Sequence, residues 1–420
     1  MSSGVSPLDL TFVRSHFPAF ESPGNDGQSF FENAGGSYAC RETIEALTTY
    51  YTATKVQPYA DYRSSADAGS AMDRSRRRWA EALGVDSREV IFGPSTSMNT
   101  YVLAHAFADV LVPGDEVIVT NQDHEANTGA IRRMADRVGC TLREWRIDPV
   151  TGRLDLDGLR ELLNARTRLV TVPHASNIIG EENPIADICA AAHDVGARVV
   201  VDGVSFVPHS IPDVAALLPD VYLFSLYKTY SVHQGLMVVR GGLLAELPNQ
   251  GHFFNADFPD KRLNPAGPDH AQVAAAGAVL DYVEAFDRHH DPAAGGGLSD
   301  SVRRVSARWR GHEDALAKPL LDWVSAREDL RLLGPQALDG ERHRCPTIAF
   351  SPSTIEPIDL ARALVSRGVQ TSSGHYYAVR VLDGVGIDPD RGVVRLSSVH
   401  YTSTEDVERA ITALDEVLAS

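Results

Sequence analysis

Basic runs are missing from this chain. Across 420 residues, 39 Lys and Arg stand against 56 Asp and Glu, a formal net charge of −17. That balance argues against non-specific nucleic-acid binding and against an anionic membrane surface. No apolar run approaches the length of a membrane span. The N-terminus, "MSSGVSPLDLTFVRSHFPAF", lacks the basic start and apolar core of a signal peptide. Cysteine is sparse: Cys40, Cys140, Cys189 and Cys345 are scattered, with no Cys-x-x-Cys pair. Neither a disulfide framework nor a metal site is expected from them, and the cytoplasm is the expected compartment. No Gly-x-Gly-x-x-Gly opens a strand–helix unit, which removes a dinucleotide-binding reading. Internal repeats and long low-complexity tracts are absent as well.

What is present is an ordinary globular composition, 43% hydrophobic and 23% charged, long enough for one large domain and a smaller one. The middle of the chain alternates strand and helix. Apolar runs occur in "EVIF", "EVIVT", "RLVTVP", "RVVVD", "VYLFS" and "GLMVV", with amphipathic or small-residue segments between them. Near-continuous apolar strands separated by helices predict a mostly parallel sheet covered on both faces, an α/β fold. "DHAQVAAAGAVLDYVEAFDRHH" reads as one helix leading out of the sheet, and the Gly-rich "DPAAGGGLSD" as a loop. From about Ser301 the pattern becomes α+β: a helix to about Ala326, strands near Arg331–Leu333 and Thr347–Phe350, a helix over Ile358–Arg367, a strand over Gly392–Ser397 and a last helix over Ser403–Ala419. The expected division is a segment 1–25 packing on the small domain, a large domain 26–295 and a small C-terminal domain 296–420.

Sites in such sheets form beyond the carboxyl ends of the strands. Ser95, Thr96 and Ser97 follow "EVIF", His124 follows "EVIVT", Asn177 follows "LVTVPHAS", Asp202 follows "RVVV", and Ser225 and Lys228 follow "VYLF". Singly, each has an ordinary reading: a helix cap, a solvated loop histidine, a turn aspartate, a lysine reaching solvent. Together they suit pyridoxal phosphate. Hydroxyls and amides at a helix N-terminus suit a phosphate dianion. A buried acid can pair with a protonated pyridine nitrogen and keep the ring an electron sink. A flat histidine can stack on the ring, and an asparagine amide can bond its phenolic oxygen. A lysine can form a Schiff base and shuttle a proton, provided its surroundings lower its pKa.

From about Phe31 to the C-terminus the chain resembles the class-V aminotransferase group of fold-type I pyridoxal-phosphate enzymes, on the branch that holds cysteine desulfurases and selenocysteine lyases. "DHEAN", "HASNIIGEENPI", "VDGVSFVPH" and "FSLYKTY" carry the resemblance. It implies that His124 stacks on the pyridine ring, Asn177 meets the phenolic oxygen and Asp202 pairs with the ring nitrogen. Thr96 and Ser225 would hold the phosphate, with Ser97 as a further candidate, and Lys228 would carry the Schiff base; Ser95 joins the phosphate candidates by its place at the helix start. Arg395 would grip the α-carboxylate of an amino-acid substrate with its fork of donors. The resemblance also implies a homodimer in which the partner lends a phosphate contact, for which His270 is the candidate. Asn33 and Arg63 are looser matches that would face the substrate.

The chain departs from the family at three positions. Ser205 stands where many relatives have glutamine, and Tyr227 where many have histidine; a phenol can still donate to phosphate. In the run "SGHYYAVR", Tyr377 stands where desulfurases of this branch carry the attacking cysteine, and no cysteine follows Cys345. Persulfide-forming desulfuration is therefore not expected. Tyr377 reads either as a general acid or wall against the substrate, or as a packing residue. The expected reaction is a lyase step such as β-elimination, or transamination, after loss of the Cα proton. An epimerase or a catalytically inactive binding protein are the alternatives.

Overall fold

The computed structural model describes residues 8–335 and 343–419. Residues 1–7 of the expected N-terminal segment and residue 420 of the small domain lie outside them. Seven strands form the central sheet: β1 (Val90–Gly93), β2 (Glu116–Thr120), β3 (Thr141–Trp145), β4 (Thr167–Pro173), β5 (Arg198–Asp202), β6 (Val221–Ser225) and β7 (Gly235–Val239). Their order across the sheet is β1-β7-β6-β5-β4-β2-β3.

Alternation along the strands explains why the sheet is buried on both sides. In β5, Val199 and Val201 point into one apolar cluster with Trp79 and Phe224, while Val200 points into a second with Leu223 and Met237. Each fully buried aliphatic side chain contributes about 1.5–3 kcal/mol relative to exposure. The sheet is parallel except for β7, which runs antiparallel to both β1 and β6. Residues 226–234 carry only one short 3-10 turn, Leu226–Lys228. So short a link cannot make a parallel crossover, and the strand folds straight back.

Two elements differ from the sequence expectation. β3 lacks an apolar run because it is the edge strand; Thr141 and Leu142 are exposed, and Arg143 and Glu144 are half-buried. The single helix expected over 269–290 is two, His270–Ala276 and Val279–His290. At the break, Ala278 N–H bonds Ala275 O, a tighter i→i−3 link, at 3.0 Å. Gly277 lies against the helix Arg63–Leu83 so closely that a Cβ there would sit 2.8 Å from Ser75 Cα. Contact with that helix, and the low helix propensity of glycine, set the position of the break.

Beyond Leu298–Ser325, a 28-residue helix, lies a four-stranded antiparallel sheet. Its strands are β8 (Leu330–Leu332), β9 (Thr347–Pro352), β10 (Ser372–Gly374) and β11 (Val393–Ser397), in the order β10-β11-β9-β8. The N-terminal part of the chain is laid onto this region. Ser29–Phe30 pairs in parallel with Val369–Gln370, and Glu32 bridges to Ser397. That pairing carries residues 32–36 to the gap between the two sheets.

Candidate active site

The carboxyl ends of β1, β2, β4, β5 and β6 open into one cavity of about 290 Å³. Ser95, Thr96, Ser97, His124, Asn177, Asp202, Ser205, Ser225, Tyr227 and Lys228 all line it. A second, outer cavity of about 560 Å³ shares Ser97, His124, Asn177, Tyr227 and Lys228 with the first. Its remaining walls include Glu32, Tyr101, Arg133, Tyr376, Tyr377 and Arg395. Most of the expected cofactor and substrate groups thus fall into two adjoining compartments with Lys228 on their common wall.

One end of the inner compartment is suited to an anion. Helix α1 (Thr96–Ala108) starts there, capped by Ser95 Oγ, which accepts from Met98 N–H at 3.2 Å. The first N–H groups of a helix have no intrahelical partner and carry the positive end of its dipole. Thr96 Oγ1 and Ser225 Oγ stand 2.7 Å apart, two hydroxyls from elements 129 positions apart in sequence. Gly235 makes this closure possible. A Cβ on it would lie 2.4 Å from Ser95 C and 2.5 Å from Thr96 N.

His124 is the N-cap of helix α2 (Glu125–Val138). Its Nδ1 accepts from Ala126 N–H at 3.0 Å, so that nitrogen carries no proton. Burial, then the charges of Lys228 and Arg395, lower its pKa to about 3, which keeps the ring neutral. Asp202 ends β5; its Oδ1 accepts from Val204 N–H at 2.8 Å. Burial raises its pKa to about 6, against the opposing pull of that N–H and of Lys228. A carboxylate so deprived of water is stabilised by any cation placed against it. Lys228 is buried, and burial followed by Arg395 lowers its pKa to about 8, with Asp202 and Glu32 opposing. A lysine held that way has a sizeable neutral fraction near physiological pH.

The donor set fits pyridoxal phosphate: paired hydroxyls at a helix N-terminus, a neutral flat imidazole, a buried acid and a buried amine in one cavity. One buried acceptor at the site stays unsatisfied. Asn177 gives one N–H to Tyr376 O at 3.0 Å, and its buried Oδ1 has no partner among the described residues.

The family model for class-V aminotransferases matches residues 29–410. The chain belongs to the class-V aminotransferase family. Among curated class-V relatives, an aminotransferase-like protein of Gibberella zeae is 32% identical over 98% of this chain and 99% of that one. A cysteine desulfurase of Cronobacter sakazakii is 29% identical over 97% of this chain and 98% of that one. Among solved structures, the cysteine desulfurase of Thermococcus onnurineus NA1 superposes with a TM-score of 0.85 at 23% identity, each chain covered completely. That of Escherichia coli gives 0.82 at 21% identity, with 99% of each chain covered. These two likenesses are likenesses of fold, the fold-type I α/β architecture. Class-V aminotransferases are pyridoxal-phosphate enzymes that act on small amino-acid substrates, typically as dimers.

The outer compartment is built around Arg395, the residue expected to meet a substrate carboxylate. Arg395 is 2% exposed. Its Nη2 bonds Glu32 Oε1 at 2.7 Å and its Nη1 bonds Asn177 O at 3.2 Å. Its guanidinium lies 3.8 Å over the Tyr376 ring, a stacked geometry suited to arginine. Tyr376 and Tyr377 both have left-handed backbones, φ +48° and +59°, an uncommon state for bulky residues. The loop holding them is tied across the gap. Glu125 N–H bonds Tyr377 O at 2.8 Å, and Arg380 pairs with Glu125 at 2.5 Å. Tyr377 is 68% exposed, with its ring centroid 5.4 Å from that of His124.

Three expected residues are not in either compartment. Asn33 is buried and spent on structure: it donates to Phe30 O and Ser397 O and accepts from Tyr401 Oη. Arg63 is exposed at the start of its helix, 3.8 Å from Asp67. His270 lines a separate cleft with Tyr50 and Lys55; its expected role is toward a second subunit. Conversely, Glu32, Gln122, Tyr101 and Arg133 line the compartments without having been singled out from sequence. Glu32 lies beside Asn33 in "FENAGG", but nothing in that stretch points to its partner. His233, in the stretch after Lys228, stacks on Tyr227 with centroids 4.8 Å apart.

Proposed function

We propose that the protein is a pyridoxal-phosphate enzyme that removes the Cα proton of an α-amino acid through Lys228, and then eliminates a β-substituent or transaminates. The observation carrying this reading is the meeting of Lys228, Asp202, His124 and the Thr96–Ser225 pair in one cavity that opens toward Arg395.

Thr96, Ser225 and the N-terminus of α1 would hold the phosphate, Asp202 the pyridinium, and His124 one face of the ring. Pyridoxal phosphate supplies, when bound, an electron sink for charge developing at Cα. The chain supplies position and proton transfer. Arg395 orients the α-carboxylate, and the neutral Lys228 amine accepts the proton from Cα and can return it.

The absence of a thiol at the site supports elimination or transamination over persulfide chemistry. Among the described residues, neither compartment is lined by a cysteine. Cys40, Cys189 and Cys345 are buried, and burial raises the pKa of each. A thiol kept protonated is a poor nucleophile.

The protein purified with the cofactor is expected to be yellow, and Lys228→Ala is expected to abolish that absorbance band. A protein that takes up no added pyridoxal phosphate would sink the reading. A panel of amino acids then separates the reactions. Keto acid with aminated cofactor marks transamination; pyruvate with ammonia from a β-substituted substrate marks elimination. Protein-bound persulfide formed from cysteine would overturn the exclusion of desulfuration.

A further inference from the structure

The carboxylate clamp already holds a carboxylate. Glu32 Oε1 takes an N–H of Arg395 at 2.7 Å, and Glu32 Oε2 accepts from Ser372 Oγ at 2.6 Å. Both charged groups line the outer compartment. The Arg395 Nε–H is buried and has no partner among the described residues, so the fork is half satisfied. The placement is specific. A Cβ on Gly35 would come within 2.8 Å of Glu32 Oε1, so the turn that follows Glu32 leaves space for its carboxylate. Glu32 also keeps a route to water, its side chain being 25% exposed against 2% for Arg395.

We propose that Glu32 is an intramolecular carboxylate that occupies Arg395 until the carboxylate of a substrate replaces it. The exchange conserves charge at the clamp. Arg395 passes from one carboxylate to another, and Glu32 swings toward solvent while Ser372 retains its second oxygen. Before substrate arrives, the pairing spares the protein a buried uncompensated guanidinium. The consequence is a lower apparent affinity, because ligand binds only the fraction of molecules in which Arg395 is free. Glu32 is thus a specificity-determining residue: it sets how strongly the site prefers an α-amino acid to an amine lacking the carboxylate.

This inference rests on Arg395 as the substrate clamp, but its test needs neither turnover nor the cofactor reading. Propionate is titrated calorimetrically into the purified protein and into Glu32→Gln, Ser372→Ala and Arg395→Gln variants. Glu32→Gln is expected to tighten propionate binding by about tenfold, the effect of freeing an arginine that is about 90% occupied. Ser372→Ala, which loosens the anchor of Glu32, should shift binding the same way by less. Arg395→Gln should remove it. Unchanged or weaker binding in both Glu32→Gln and Ser372→Ala would overturn the proposal, as would binding that survives Arg395→Gln. Cofactor uptake, scored separately by absorbance, reports on the reading of the inner compartment alone.

Discussion

Lysine is rare in this chain, and that makes the residue scale unusually testable. Lys55, Lys261 and Lys318 are exposed, and Lys228 is the buried one. In cofactor-free protein, amine labelling followed by mass spectrometry should therefore resolve each lysine. The rate at Lys228 is expected to rise with pH around a midpoint near 8, because burial and Arg395 disfavour the ammonium. A rate at Lys228 that stays flat through that range would contradict the environment described. Asp202 gives the opposite test of sign. Its pKa is raised in the folded chain to about 6, so ionising it costs stability. The cofactor-free protein is expected to lose that increment as pH rises from about 4 through 6, and Asp202→Asn should flatten this part of a pH–melting profile. Asp202, Lys228, His124, Thr96 and Ser225 were legible in the sequence because each sits just past an apolar run, where parallel-sheet sites form. Glu32 was not, because its meaning lies in a contact with a residue 363 positions away. No local pattern encodes that distance.

At the scale of elements, the end suited to an anion depends on a strand backbone and a helix start approaching closely. Gly235→Ala would drive a methyl into the Ser95–Thr96 peptide. A loss of about 1–3 kcal/mol is expected, since backbone cannot yield as a side chain tip can. Phosphate affinity should fall more than stability does, measured by cofactor titration beside a denaturant melt. The cap is the milder lesion: Ser95→Ala should cost about 1 kcal/mol. The elements themselves were largely readable, because buried parallel strands carry continuous apolar runs. β3 escaped because an edge strand need not be apolar. The split helix escaped because its cause is Ser75 on another helix, and the reversal of β7 because strand direction is set by the link before it rather than by its own residues.

At the scale of the whole molecule, the helix Leu298–Ser325 is fastened to the loops after β4 and β5 by buried polar contacts. His209 bonds Glu313 at 2.9 Å with both side chains buried, and Arg310 pairs with Glu182 beside them. Removing one partner leaves the other buried without a hydrogen bond. Glu313→Ala is expected to cost about 1–3 kcal/mol, read by denaturant unfolding, while the yellow band of the folded holoenzyme persists. No helix among the described residues is long and apolar enough to cross a membrane. The Glu32–Arg395 pair also orders events in time. As the chain leaves the ribosome, every side chain of the inner compartment has been made once His233 appears, and the sheet that presents them is complete at Val239. Arg395 emerges only near the end, and Glu32 waits for it through almost the whole of synthesis. The side chains that would seat a phosphate are therefore all made before the arginine that would grip a substrate.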